Sequence, residues 1–420
     1  MIDRKIEPKF STVETIKLVE PQVFDLTDKV SLFWMKEVPN NTSKLTLFFD
    51  AGIIRGERSI PTLVNNLLLS GTDDLSTQEI HEQIDSMGGY VNTSCSDEGA
   101  VVTIYALKQY LLPIARIVAN AIEHVSFRES EINELLASVK QNLMVRMQKV
   151  NYLCHLEFKK NFFQSQPNYA QHMQFDHLDS FSVEEAKVFL ERYYKQGLSK
   201  IHVVGDLDLD QIDALIDLFG SWATTTSMPF ESQFQVLPKR IDVPKKDAVQ
   251  CAIQMGRFLF DRTHEDFIDF TVLNTLLGDY FGSRLMSNIR EEKGYTYGIG
   301  SVLAERRNSG YFMISTEVRK EVLEAALNEI QHEIKRLQTE IVPIEELDLV
   351  RNYMLGELLK SADGPYQMLS MFSLVRLHNL DLNYYQEYIQ RLKQIQPERI
   401  RELAQKYLNW DDFLIVTAGS

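Results

Sequence analysis

The chain has 420 residues, 44% of them hydrophobic and 25% charged, and a formal net charge of −15. That length exceeds one ordinary hydrophobic core and points to two or more globular domains. The negative balance argues against nucleic acid or an anionic membrane surface as a partner.

In chain order, residues 1–28 read as an arm broken at Pro8 and Pro21. Strands Val30–Met35 and Lys44–Phe49 follow, joined by a turn at Val38-Pro39-Asn40-Asn41. Ile60–Leu69 has helical apolar spacing and closes at Ser70-Gly71-Thr72. Ser76–Met87 is a second helix, with Ser76 as its cap and Glu79 at the capping-box position. Gly88-Gly89 ends it, since glycine accepts the left-handed conformation a helix stop requires. Tyr90–Ser94 and Ala100–Leu107 alternate as paired strands, and Leu111–His124 and Glu129–Met147 are amphipathic helices. Helix Val183–Tyr194, strand Lys200–Gly205 and helix Leu209–Trp222 complete this half.

The polar, proline-punctuated stretch after Ala223 reads as a linker, giving domains at 1–225 and 247–420 with 226–246 between them. The second half then repeats the first in outline. Val249–Arg257 is a strand, Phe267–Leu277 and Gly282–Glu292 are helices, and Gly294–Leu303 and Gly310–Val318 are paired strands. Lys320–Thr339 is a long helix, a further helix opens at Pro343, and Leu382–Ile395 and Pro397–Leu408 are late helices before a closing strand at Phe413–Ala418. A duplication of roughly 200 residues is too long for a solenoid period and points to two sister domains. Two unrelated α/β domains are the alternative.

Three cysteines, Cys95, Cys154 and Cys251, give neither a disulfide framework nor a C-x-x-C knuckle, and are expected as ordinary thiols in a reducing compartment. The opening MIDRKIEPKF has no apolar signal core, and no apolar run is long enough to span a bilayer. A cytoplasmic location is therefore expected. Among the nine histidines, His172 and His177 are five apart and so on different faces of a helix, and His155 has no partner at ligand spacing. The aromatic residues of 158–163 and Tyr384-Tyr385 read as packing.

Chemistry concentrates in Leu276–Ile299, LLGDYFGSRLMSNIREEKGYTYGI. A short helix carries Arg290, a charged turn ends at Gly294, and an aromatic strand carries Tyr297. Arg290 is a permanent bidentate donor and Tyr297 adds a phenol, so together they can grip a carbonyl or carboxylate. The plainer reading pairs Arg290 with Glu291 or Glu292 and puts Tyr297 in the core.

Ala51-Gly52, the run Leu67 to Thr72, IDSMGGYVN at 84–92 and Ser283-Arg284-Leu285 with Arg290 and Tyr297 together resemble the pitrilysin/insulinase superfamily of zinc peptidases. The likeness is to its two-domain branch, which includes mitochondrial processing peptidase and bacterial relatives, and it covers about residues 20–420. The resemblance implies an α+β fold of two homologous α/β sandwich domains, each a mostly antiparallel sheet backed by helices. It also implies a clamshell formed by a pair of such chains.

In that family an H-x-x-E-H motif supplies two zinc ligands and a general base. Counting back from Gly71-Thr72, those positions fall here on Thr62, Asn65 and Asn66, and the third ligand position on Asn142. Threonine and amides are poor zinc ligands, and an amide cannot take a proton from water at neutral pH. No metal is therefore expected on this chain. The resemblance assigns Arg290 and Tyr297 to the substrate backbone, near the zinc of the opposite domain. It thus implies a non-catalytic, substrate-binding subunit whose partner is an HxxEH-bearing sister that brings the zinc, with peptides as substrate. A homodimer that captures peptides without cutting them, and a purely structural or peptide-binding pseudo-peptidase, are the alternatives. Tyr90, Val91, Asn92 and Thr93 correspond to the edge strand to which the family adds a peptide.

Overall fold

Alternation along each strand sets the architecture, because every second side chain must leave water. In β3 (Thr42–Phe49), Leu45, Leu47 and Phe49 are fully buried against helices on one side of a sheet. The computed structural model describes residues 13–36, 41–223 and 234–420. The expected turn at 38–41 and the first part of the expected linker fall largely outside these residues, as do residues 1–12 of the expected arm.

The first sheet also contains β1 (Gln22–Asp25), β2 (Ser31–Met35), β4 (Tyr90–Cys95), β5 (Ala100–Leu107) and β6 (Leu198–Val204), in the order β1-β2-β6-β3-β5-β4. Only β2 and β6 run parallel. The second sheet holds β7 (Lys239–Val243), β8 (Gln250–Leu259), β9 (Thr296–Arg306), β10 (Ser309–Arg319) and β11 (Leu414–Ala418), ordered β7-β11-β8-β10-β9. Its single parallel pair is β7 with β11. Without β1 the two sheets have the same connectivity, strand for strand, as a duplicated α+β unit requires.

Two parts of the sequence reading need correction. Gln22–Asp25 is a strand within the expected arm, and Lys239–Val243 is a strand within the expected linker. Both are edge strands, and β7 carries Lys239, Arg240 and Asp242 between Pro238 and Pro244. An edge strand needs only one partner and tolerates charge, so it lacks the apolar alternation that marks an inner strand.

The helix starts and stops follow the sequence. Ser76 and Glu79 form the reciprocal capping box of helix Thr77–Ser86. Gly88 takes φ +65° just beyond that helix. The helices exchange partners between halves, which sequence periodicity does not report. Helix Val150–Phe162 packs Val150, Cys154, Phe158 and Phe162 against β8 and β11 of the second sheet. Helix Pro365–Leu377 in turn covers β2 and β6 of the first, through Leu369 on Met35 and Val204.

Candidate functional site

Arg290 and Tyr297 are brought together by a helix and an edge strand that are each fixed from below. Residues 284–292 form the helix, and from Met286 to Glu292 it widens to a π-helix, with the Lys293 N–H reaching the Asn288 carbonyl at 2.9 Å. Leu285, Met286 and Ile289 bury its inner side. Arg284 is a buried fork onto Glu346 (2.7 and 2.9 Å), and the Asn288 amide donates to Glu329 and Glu333 (2.9 and 2.7 Å). Gly294, at φ +63°, turns the chain into β9, and the Tyr295 N–H bonds back to the Ile289 carbonyl at 3.0 Å.

β9 is one of the two edge strands of the second sheet, and its pairing with β10 slips between Thr316 and Val318. This bulge lies opposite Tyr297 and is stitched by hydroxyls. The Thr296 hydroxyl lies 2.7 Å from the Glu317 carbonyl, and the Thr316 hydroxyl 2.9 Å from that of Gly298. An edge bulge re-aims a side chain, and Tyr297 stands 93% exposed.

The Arg290 guanidinium lies 4.6 Å from the Phe281 ring centroid and 5.7 Å from that of Tyr297. It makes no hydrogen bond or ion pair among the described residues, and Glu292 pairs with Lys293 instead (2.8 Å). Neither half of the plainer reading describes these two residues. Beside Tyr297 a cavity of ≈ 590 Å³ opens over the sheet, walled by Thr316, Gln254, Glu317 and Asn151.

The positions Thr62, Asn65 and Asn66 lie on helix Ile60–Leu67. Asn65 is buried, its side-chain amide donates to the Tyr194 hydroxyl at 3.0 Å, and its backbone carbonyl accepts from the Thr93 hydroxyl at 3.3 Å. Asn66 is exposed, and Asn142 is exposed on helix Glu129–Met147, with no hydrogen bond to the other three among the described residues. One alcohol and three amides carry no charge and no soft lone pair, so this donor set does not fit zinc. Cys95 offers no substitute. Burial, with Asp97 nearby, pushes its thiol up to about 12, so it holds its proton. Among the described residues no three histidine, cysteine or carboxylate side chains converge as a metal site.

The expected contact strand Tyr90–Thr93 lies in β4, an edge strand of the first sheet and the topological counterpart of β9. Sequence reasoning missed Phe281, which flanks Arg290 and is 64% exposed. An aromatic in a mainly apolar stretch carries no sequence sign of whether it faces solvent.

Two sister sheets, each with helices of both halves against it, make a duplicated α+β scaffold with no metal-site cluster among the described residues. Residues 33–173 match the domain family "Insulinase (Peptidase family M16)", and residues 180–354 match "Peptidase M16 inactive domain". The chain belongs to the peptidase M16 (insulinase) family. It is 24% identical to "Uncharacterized zinc protease YmxG" of Bacillus subtilis over 86% of this chain and 88% of that protein. It is 22% identical to "Non-peptidase homolog YmxG" of Helicobacter pylori, over 86% and 85%. The fold superimposes on a peptidase M16 inactive domain from Pseudomonas fluorescens with TM-score 0.84 and 20% identity, over 95% and 98% of the two chains.

Proposed function

We propose that this chain is the non-catalytic, substrate-binding subunit of a heteromeric zinc peptidase. Arg290 and Tyr297 hold an extended peptide in the active site of an HxxEH-bearing partner. The observation that carries this reading is the guanidinium of Arg290, which has no counter-anion among the described residues and stands beside an exposed phenol on an edge strand. A surface arginine with no ligand to meet gains nothing from this rigid mounting. A peptide carbonyl gains charge-assisted donors, and negative charge building on its oxygen gains more. In this reading zinc and the water-activating glutamate belong to the partner.

The test is a quenched fluorescent peptide assay with metal analysis, on this chain alone and mixed with an HxxEH sister. The chain alone is expected to be silent and zinc-free, and the mixture to cut with this chain present in the complex. Stoichiometric zinc and cleavage by the chain alone would sink the proposal.

A second reading is a structural or peptide-binding pseudo-peptidase with no part in hydrolysis. The non-peptidase name of the Helicobacter relative and the amide-filled zinc positions favour it. A mixed complex that assembles but cuts no faster than the sister alone would select it.

A further inference from the structure

A cavity of ≈ 870 Å³ lies between the two halves, and neither Arg290 nor Tyr297 lines it. The first half supplies Thr42 and Lys44 of β3 and Tyr105 of β5. The second supplies residues of four helices, Phe267–Leu277, Ile344–Ser361, Pro365–Leu377 and Asn383–Gln394. Phe267, Leu358, Met371, Leu374 and the ring of Tyr105 make its walls largely apolar. Small-molecule sites share this character, with volumes of about 300–1,000 Å³, apolar and aromatic walls and a few placed polar groups.

Most polar groups of the walls are turned onto the protein. The Tyr366 hydroxyl donates to the Thr42 hydroxyl across the seam at 3.2 Å, and the Tyr385 hydroxyl to the Met371 carbonyl at 2.9 Å. Tyr388 is engaged by Thr271. Arg262 forks onto Glu305, with Nε at 2.8 Å, and is matched there. Ser361, Gln367 and Ser370 are exposed to water. Two groups remain. Tyr384 is only 8% exposed, yet its hydroxyl makes no hydrogen bond among the described residues. Lys44 is half-buried, its ammonium 5.2 Å from the Tyr105 ring centroid, and it has no carboxylate partner among the described residues. Nor does any described aspartate or glutamate line the cavity.

A buried phenol ordinarily finds a hydrogen-bond partner, so the Tyr384 hydroxyl forgoes one that its surroundings do not supply. Burial holds its proton more firmly still, which makes it a donor to any occupant. An ammonium can only donate. Both open groups therefore ask for an acceptor, and the unmatched charge of Lys44 prefers an anionic one. The walls ask for something else, because ring faces and aliphatic side chains gain only from an apolar body. Water or an inorganic anion meets the first demand and fails the second. A neutral hydrocarbon does the reverse.

We propose that this cavity binds a monocarboxylate with an extended apolar chain, of the fatty-acid type, with Lys44 and the Tyr384 hydroxyl as the donors for its carboxylate. Its chain would lie against walls drawn from both halves and so fasten them together. This inference does not rest on the peptidase reading.

The experiment titrates the full chain, below micellar concentrations, with hexanoate, octanoate and decanoate, and with decanol and decyltrimethylammonium, read by calorimetry and thermal unfolding. Decanoate is expected to bind saturably at one site per chain and to raise Tm. Each added methylene should tighten binding by about fourfold, as full burial of a CH₂ requires. Decyltrimethylammonium should be the weakest of the ten-carbon probes. Lys44→Met keeps the apolar stem and removes the charge, so it should weaken decanoate by about tenfold and leave decanol unchanged, with Lys44→Arg retaining most of the decanoate affinity. Should Lys44→Met fail to fold, the unaltered chain answers through a decanoate bearing a terminal diazirine. Its photolabel should fall on peptides within 344–394 and be displaced by unlabelled decanoate. No saturable decanoate binding, affinity independent of chain length, decyltrimethylammonium binding as tightly as decanoate, equal losses of decanoate and decanol in Lys44→Met, or labelling confined to other peptides would each overturn the proposal. So would a hydrophobic hexapeptide that displaces decanoate at lower concentration than decanoate itself, since the cavity would then be a peptide site.

Discussion

Arg290 is held by its surroundings without being neutralised by them. The Phe281 and Tyr297 rings flank its guanidinium, while Arg284, one turn and a half earlier, takes the carboxylate Glu346. Two arginines on one short helix have divided labour, one as anchor and one left open. On the subunit role proposed above, a charged hydrogen bond to a peptide is worth about 1.5–3 kcal/mol, so Arg290→Ala should lower kcat/KM of the proposed mixed complex by about 10–100-fold. Tyr297→Phe keeps the ring beside the guanidinium and removes one hydroxyl, so its loss should be smaller, about 3–10-fold. Both variants should co-purify with the partner in the usual ratio, because neither side chain is part of a packed core. Loss of assembly, rather than of turnover, would assign the pair to the interface. Asn65 shows the opposite case, a buried side chain whose amide is taken up by the Tyr194 hydroxyl.

At the scale of elements, one carboxylate ties together two helices of the second half. Asp266 immediately precedes helix Phe267–Leu277 and reaches Arg399, Lys406 and Tyr407 on helix Pro397–Tyr407. Burial raises its pKa, but hydrogen bonds from Lys406 and Tyr407 and the charge of Arg399 outweigh that and bring Asp266 down to about 2. An aspartate free in the unfolded chain titrates at 3.8, so the folded state binds fewer protons across this interval. The stability Asp266 contributes is therefore complete above about pH 4 and lost as the pH falls toward 2. Denaturant midpoints measured between pH 2 and 5 should drop steeply in the parent chain and less steeply in Asp266→Asn, which should be the less stable of the two at pH 7. Parallel pH profiles would remove Asp266 from this role. The elements themselves were largely legible in the sequence wherever one face is apolar and the other is not, as in β3, in helix Thr77–Ser86 with its capping box, and in Ser283 to Tyr297. What sequence could not show was of two kinds. Polar edge strands such as β7 take their partner's hydrogen bonds without an apolar signature. A helix such as Val150–Phe162 reveals that it must be buried but not which sheet buries it.

The exchange of helices has a consequence for the molecule as a whole. Two sister sheets suggest two domains that fold alone, yet each sheet is covered on one face by a helix from the other half of the chain. Phe158 stacks on Phe162 at 4.7 Å, and Phe162 meets Phe258 of β8 at 4.2 Å. Truncating one buried phenylalanine costs about 3–5 kcal/mol. Losing the contacts of both rings therefore approaches the whole 5–15 kcal/mol that typically separates a folded protein from its unfolded chain. The seam adds Asp97, at the β4–β5 turn, which binds Lys159 at 2.9 Å and Arg306 at 2.8 Å, both little exposed. A cut between residues 233 and 234 leaves every covalent element of each half intact and removes only these borrowed surfaces. Expressed separately, 1–233 and 234–420 should each bind a hydrophobic dye and unfold without a sharp transition. Expressed together, they should associate and recover the single cooperative unfolding of the intact chain. A fragment that unfolds sharply by itself, followed by calorimetry and near-UV circular dichroism, would mean that the borrowed helix is a docking contact rather than part of a shared core. The pairing of halves is then also what holds β4 and β9 in fixed relation, so the joined fragments should regain whatever peptide binding the intact chain has.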